Sequence, residues 1–257
     1  MSKLIDKLNR VSQSASQPMG FGTTQSLTPR PKMLLIANLT KANVDSLADY
    51  VAGADGGLLH ISQGSGVETL REVSQAISEI PWGWWLRDGG QREIDQIVKA
   101  GCDFVVFPAT STPLAIPQGN EIGRILQVEA SLSADLLRAI NDLPIDAVLV
   151  ASEQGKDYFL TWHHLMLFRR FANLLTKPLL VSIPPEVTTN ELQALREAGV
   201  DGVIVEVGIG QPAGKLNELR QAIDKLPTLS PRKRGKTEAL LPRIAKETDL
   251  LPEEEEE

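Results

Sequence analysis

Cysteine is almost missing from this sequence of 257 residues. The one cysteine, Cys102, excludes an intramolecular disulfide and any metal site that needs several cysteines. It follows a glycine and stands shortly before an apolar run, a place where a small buried filler is typical. We therefore interpret Cys102 as a core residue and not as a nucleophile.

Long apolar runs are missing as well. No stretch approaches the roughly 18 uninterrupted apolar residues that a membrane-spanning helix requires. The first residues, Met1 to Lys7, also lack the apolar centre of a secretory signal. We therefore expect a cytoplasmic protein that does not bind membranes.

A surplus of positive charge is the third absence. The formal net charge is -7 at pH 7, whereas general binding to nucleic acid needs basic residues that neutralise phosphates. Nucleic acid is therefore not an expected partner. Apolar residues are plentiful: a hydrophobic fraction of 42% is enough for a large core, and a mean hydropathy of -0.09 fits a soluble domain.

A short motif recurs four times along the chain, roughly every 50 residues. In each copy a small-residue hinge and an aspartate lead into an apolar run, and a further strand-like segment lies between consecutive copies. The aspartates are Asp55, Asp103, Asp146 and Asp201. Buried apolar runs separated by helical patterns are typical of parallel strands. Four two-strand units give eight βα steps, which predicts an α/β fold: a single (β/α)8 TIM barrel.

The boundaries of the elements follow from the same patterns. The predicted strands are Met33–Asn38, Gly57–Ser62, Trp82–Arg87, Phe104–Pro108, Arg124–Glu129, Ala147–Ser152, Leu179–Ile183 and Gly202–Val207. The predicted helices are Val44–Val51, Val67–Ile80, Arg92–Ala100, Ala134–Leu143, Trp162–Leu175, Asn190–Ala198 and Lys215–Leu226. The four aspartates then lie at the amino ends of strands, which is the stability face of such a barrel. We interpret them as caps and turn formers.

Both ends of the chain differ in composition from the predicted barrel at residues 31–227. Residues 1–30 form a predicted arm that begins with an amphipathic helix, because Leu4, Ile5, Leu8 and Val11 share one helical face. That helix could plug one end of the barrel or dock on a partner. Residues 228–257 carry a basic cluster and an acidic run, and we expect a charged, disordered tail.

Chemistry in this architecture lies at the carboxyl ends of the strands and in the loops that follow them. Alternation along each strand sorts the late polar residues into those that face the interior and those that do not. The predicted catalytic residues are Glu129, Glu206 and His60. The predicted substrate-binding residues are Asn38, Arg87, Asp88, Glu153, Gly208 and Gly210. Carboxylates, an imidazole and a guanidinium in one mouth can transfer protons or hold a divalent metal ion, whereas a pairing of Arg87 with Glu129 or Glu206 would be purely structural.

Two segments resemble known proteins. Residues 197–208 (EAGVDGVIVEVG) and 100–108 (AGCDFVVFP) are similar to steps of the ribulose-phosphate-binding, or aldolase-type, TIM-barrel superfamily. The resemblance implies a phosphate site after strands seven and eight, and FMN in related barrels. The sequence departs from the usual glycine turns at both places, with Ser182-Ile-Pro-Pro185 after strand seven and Gly208-Ile-Gly210 after strand eight.

Three functional hypotheses remain open at this point. The first is a lyase or isomerase that acts by acid–base chemistry on a small anionic metabolite, such as a phosphorylated one. The second is a non-catalytic barrel that serves as an assembly or regulatory partner through residues 1–30 or 228–257, and a homo-oligomer is compatible with either. The third is an FMN-dependent oxidoreductase.

Overall fold

The computed structural model describes residues 2–13, 31–41, 50–59, 80–86, 99–114, 122–151, 158–208 and 214–227. In this part of the chain, eight parallel strands pair in sequential order and close into a barrel. The strands are β1 (Leu34–Lys41), β2 (Gly56–Leu59), β3 (Trp82–Trp85), β4 (Phe104–Pro108), β5 (Gly123–Glu129), β6 (Ala147–Ala151), β7 (Leu179–Ile183) and β8 (Gly202–Gly208). The predicted (β/α)8 TIM barrel is confirmed.

Five described helices accompany the strands. They are α1 (Lys3–Gln13), α2 (Ala134–Ala139) with a following 3-10 turn (Ile140–Asp142), α3 (Trp162–Leu174), α4 (Thr189–Ala198) and α5 (Lys215–Lys225). None of them is long and apolar enough to cross a membrane. Predicted bounds for β4 and β7 coincide with the observed ones. The predicted helices at 44–51, 67–80 and 92–100 fall almost entirely outside the described residues.

The amino-terminal helix α1 packs into the barrel. Its apolar face shares one buried cluster with side chains from the inner surface of the strands, including Leu34, Phe104 and Ile204. Leu4 and Leu8 are fully buried, and each such side chain contributes about 1.5–3 kcal/mol when it leaves water. Of the two interpretations of this helix, these contacts agree with the plug.

Glycines on the inner face make room for this packing. A Cβ atom on Gly123 would lie 2.5 Å from Cγ1 of Ile5 in α1, and one on Gly83 would overlap the ring of Phe104. Real side chains do not approach so closely, so a larger residue would displace the helix or the ring. The amino end of the barrel is therefore packed from inside.

Three of the motif aspartates bond to the backbone of the preceding strand. Each carboxylate accepts a hydrogen bond from a backbone N–H at or next to the start of that strand, as a cap should. The pairs are Asp55 with Leu35 (3.0 Å), Asp146 with Arg124 (2.8 Å) and Asp201 with Leu179 (2.7 Å). The interpretation of these aspartates as caps is confirmed.

Asp103 is the exception among the four, because its carboxylate caps α1 instead. It accepts hydrogen bonds from the backbone N–H groups of Lys3 (2.7 Å) and Leu4 (2.9 Å) and from the hydroxyl of Ser2 (2.8 Å). The first N–H groups of a helix have no partner within the helix. Asp103 therefore joins the plug to the strand motif.

Candidate functional site

A pocket of about 370 Å³ opens at the carboxyl ends of β7, β8 and β1. Four of its strand residues are Asn38, Ser182, Ile204 and Glu206; the fifth, Ile183, packs in the other buried cluster. Asn38 pairs in register with Glu206, and Ser182 pairs with Ile204. Paired residues on parallel neighbours face the same side, and Ile204 belongs to the inner cluster. All four side chains therefore face the barrel interior.

The inner end of this pocket is polar and largely withdrawn from solvent. Asn38 is 3% exposed and Ser182 is 5% exposed, while Glu206 is half-buried. Both buried groups line the same pocket as Glu206, on the two strands that flank β8. The arrangement concentrates an amide, a hydroxyl and a carboxylate at the point where chemistry occurs in this architecture.

One outer wall of the pocket is the segment from Tyr158 to Leu160, which leads into α3. Phe159 is 69% exposed although it lines the pocket, so it lies at the entrance. Thr161 caps the helix, and Nδ1 of His164 accepts a hydrogen bond from the Thr161 backbone N–H at 3.1 Å. The neutral imidazole thus plays the part that glutamate or glutamine plays in a capping box.

Burial and the neighbouring His163 lower the pKa of His164. Both causes favour the neutral ring, which has the lone pair that the cap requires. The ring also meets Tyr158 edge-on at 5.4 Å and stacks on Phe168 at 6.2 Å, measured between centroids. The cap and these ring contacts connect the pocket wall to the helix behind it.

The second outer wall is the turn between β7 and α4, which contains Pro184, Pro185, Glu186 and Val187. A second capping box starts α4 directly after this turn. Oε2 of Glu191 accepts hydrogen bonds from the Thr188 backbone N–H at 2.8 Å and from the Thr188 hydroxyl at 2.7 Å. The amino end of α4, which would otherwise attract an anion, thus holds a carboxylate of the chain itself.

Charge is distributed unevenly around the pocket. Its described lining includes three carboxylates, those of Glu186, Glu191 and Glu206, and no lysine, arginine or histidine. Nζ of Lys215, at the start of α5, lies 4.0 Å from Glu186 and 3.7 Å from Glu218, so it is shared between two carboxylates. Within the described part of the chain, no three acidic, histidine or cysteine side chains form a group that could hold a metal ion.

Of the residues predicted for the site, the structure brings Asn38 and Glu206 together in the pocket. Gly208 ends β8 and pairs with Lys41. Glu129 ends β5, is exposed, and accepts a hydrogen bond from the Ser131 hydroxyl at 3.2 Å; it is not part of this pocket lining. The other predicted site residues, His60, Arg87, Asp88, Glu153 and Gly210, lie outside the described residues.

Sequence reasoning missed the two carboxylates of the outer wall. Glu191 carried a signal, because threonine followed three residues later by glutamate, ahead of apolar residues, is the pattern of a capping box. Glu186 carried none, since it stands in an irregular turn after two prolines. Tyr158 and Phe159 were also missed, and only the folded chain brings them to the mouth.

Comparisons with known proteins give a fold likeness and nothing closer. No protein-family model matches the sequence, and no curated protein does. Solved structures of the tryptophan synthase alpha subunit from Pyrococcus furiosus do match. One mutant structure shares 15% identity, covers 75% of this chain and 97% of its own, and has a TM-score of 0.57. A second mutant shares 16% identity, covers 76% of this chain and 97% of its own, and has a TM-score of 0.58. A third structure shares 14% identity, covers 76% of this chain and 97% of its own, and has a TM-score of 0.57. At this level of identity the match shows a shared (β/α)8 barrel fold, which is the scaffold that the two resembling segments implied.

Proposed function

We propose that this chain is a TIM-barrel enzyme that transfers a proton on a small metabolite, as a lyase or an isomerase. The observation that carries the proposal is the pocket at β7, β8 and β1, in which the half-buried Glu206 lies beside buried polar side chains. Barrels of this architecture perform their chemistry at that end. A carboxylate within reach of a bound ligand is a suitable general acid or base.

Glu206 is the proposed acid or base, and its neighbours supply orientation. Asn38 pairs with it in register on β1, so its amide is placed to bind the substrate or to hold the carboxylate in one rotamer. Ser182 lies on the other side of β8, on β7, where its hydroxyl can donate to a substrate oxygen. The two together would limit how the ligand sits against Glu206.

The remaining roles stay predictions. His60 is proposed as a proton carrier, Glu129 as a second acid or base, and Arg87 as the residue that binds an anionic group of the substrate. Asp88 and Glu153 at the rim, with the loop at Gly208 and Gly210, complete the predicted set. An anionic substrate depends on Arg87 and this loop, since the described pocket wall is itself acidic. A cytoplasmic location is also a prediction.

Nothing in the described part of the chain favours the non-catalytic alternative. That hypothesis used residues 1–30 or 228–257 as docking elements. Leu4 and Leu8 of α1 are buried in the barrel and are not available to a partner, and residues 14–30 and 228–257 lie outside the described residues. The enzyme proposal is therefore the one taken further.

Deuterium exchange tests the proposal whatever the exact substrate is. Metabolites that raise the melting temperature are incubated with the protein in D2O, and NMR detects deuterium that replaces a carbon-bound proton. We expect exchange with the unchanged protein, and a rate about 10²–10⁴-fold lower with Glu206→Gln. Asp135→Asn is the matched control, because it removes the same charge from an exposed position on α2. Exchange that continues unchanged in Glu206→Gln would contradict the assignment.

A further inference from the structure

The charge of the pocket wall bears on the kind of ligand it can hold. The carboxylates of Glu186, Glu191 and Glu206 outnumber the one described cation at its edge, Lys215. Like charges repel, and solvent screens this repulsion less at the half-buried Glu206 than at the exposed Glu186. An anionic ligand group would therefore approach this wall against the local field.

The helix that could have offset this repulsion does not do so. The amino end of a helix attracts anions through its free N–H groups and its dipole. At α4, the Glu191 carboxylate already closes the capping box with Thr188. A phosphate placed after β7 would have to displace that carboxylate or lie beside it.

The rest of the lining points to an organic ligand. Within the described residues these carboxylates do not form a group that could hold a metal ion. The outer walls carry apolar side chains, Phe159, Leu160, Pro184, Pro185 and Val187, beside Glu186 and Glu191, around a cavity of about 370 Å³. A concave pocket that combines apolar side chains with a few polar groups is the usual form of a small-molecule site.

We propose that this pocket binds its ligand through a protonated amine at the Glu206 end, with an apolar body against the outer walls. The inference rests on the proposed function in that it names the substrate class for the same pocket. It also places any anionic group of that substrate away from the Glu206 side chain and from the turn after β7. The same field disfavours the phosphate of FMN at this position.

Three probes of nearly equal shape test the charge preference. They are 2-phenylethylamine, the neutral 2-phenylethanol and the anionic 3-phenylpropionate, each titrated calorimetrically into the full-length protein at pH 7. We expect the amine to bind at least about tenfold more tightly than the carboxylate, the scale of a modest charge–charge contribution. Absence of amine binding, or carboxylate binding of equal strength, overturns the proposal.

Two variants locate the effect. We expect Glu206→Gln to weaken amine binding about tenfold and Glu186→Gln to weaken it about twofold, because the Glu186 side chain is 86% exposed and solvent screens it. Binding of the alcohol should change less than twofold in both. Asp135→Asn controls for the loss of net charge. An equal loss of amine binding in Asp135→Asn overturns the proposal, since the preference would then belong to the whole surface.

Failure of this proposal about the ligand can be distinguished from failure of the proposed function. Amine binding is measured without turnover, and deuterium exchange is measured without regard to the ligand's charge. A pocket that prefers carboxylates but loses exchange in Glu206→Gln would contradict only the ligand class. A pocket that prefers amines but keeps exchange in Glu206→Gln would contradict only the catalytic role.

Discussion

The two ends of this barrel use different acidic residues for different purposes. At the amino end, four aspartates accept hydrogen bonds from backbone N–H groups, three on preceding strands and one, Asp103, on α1. At the carboxyl end, the pocket lining has glutamates. The short aspartate side chain suits a local backbone bond, whereas the longer glutamate reaches into a cavity. The aspartates thus serve stability, as does Glu191 at the start of α4, whereas Glu206 is the residue proposed to meet a ligand. Substitutions at each end can test that division.

The largest expected effect is at the plug. Leu8→Ala removes a fully buried side chain from the inner cluster, and such truncations cost about 2–5 kcal/mol of unfolding free energy. Urea denaturation should show this loss, while amine binding by the remaining folded protein should be unchanged. If the folded Leu8→Ala protein also bound the amine more weakly, the packing at the amino end and the pocket at the carboxyl end would be coupled.

Overpacking the same end should cost slightly less. Gly83→Ala places a methyl group where the Phe104 ring lies, and extra volume in a packed core typically costs about 1–3 kcal/mol. Phe104→Leu in the same chain makes room for that methyl, so the double variant should be more stable than the sum of the single losses predicts. If the double variant lost as much unfolding free energy as the two single variants together, the added methyl group would not strain the Phe104 ring.

Loss of a single cap should cost about as much as this overpacking. Asp201→Ala leaves the backbone N–H of Leu179 without its acceptor in a buried place, at a cost of about 1–3 kcal/mol. Asp201→Asn keeps an acceptor oxygen and should recover part of that stability in the same thermal unfolding measurement. If both variants unfold like the unchanged protein, the aspartate is not a significant cap.

The smallest effect is a pH dependence at the pocket wall. The pKa of His164 is lowered in the fold, so the unfolded chain takes up this proton first, and stability falls as the pH drops below about 6.5. Above that pH His164 is neutral in both the folded and the unfolded chain, and its contribution to the free energy of unfolding is fully present. Melting temperatures between pH 7.5 and 5 should show the decrease, and His164→Gln should reduce it, because glutamine keeps the capping acceptor without titrating. An unchanged pH profile in His164→Gln would place the dependence elsewhere.

The fold was predictable because its signals are local. A local signal precedes each of these strands, a hinge and an aspartate before 104–108 and Pro178 before 179–183, so both could be bounded from a few residues of sequence. Alternation along a strand also predicted that Glu206 faces inward. Neither inference depends on residues far away in the chain.

The site was less predictable because its partners are distant in sequence. Phe159 and Glu186 reach the same pocket from two different loops, and neither loop has a regular pattern. His164 takes a position where glutamate or glutamine is usual, so no ordinary capping-box pattern marks it in the sequence. The glycine at 123 is required by Ile5, which stands more than a hundred residues earlier and whose contact no local pattern reveals.

The bond between Asp103 and α1 has a consequence for the order of events during synthesis. Asp103 stands 100 residues after Lys3, whose backbone N–H it caps. At about 5–20 residues per second, the ribosome makes this helix several seconds before its cap exists. An isolated helix of 11 residues is marginal in water, and its inner partners extend as far as β8. Although α1 is translated well before Asp103 and β8, it is therefore among the last elements to reach its final place.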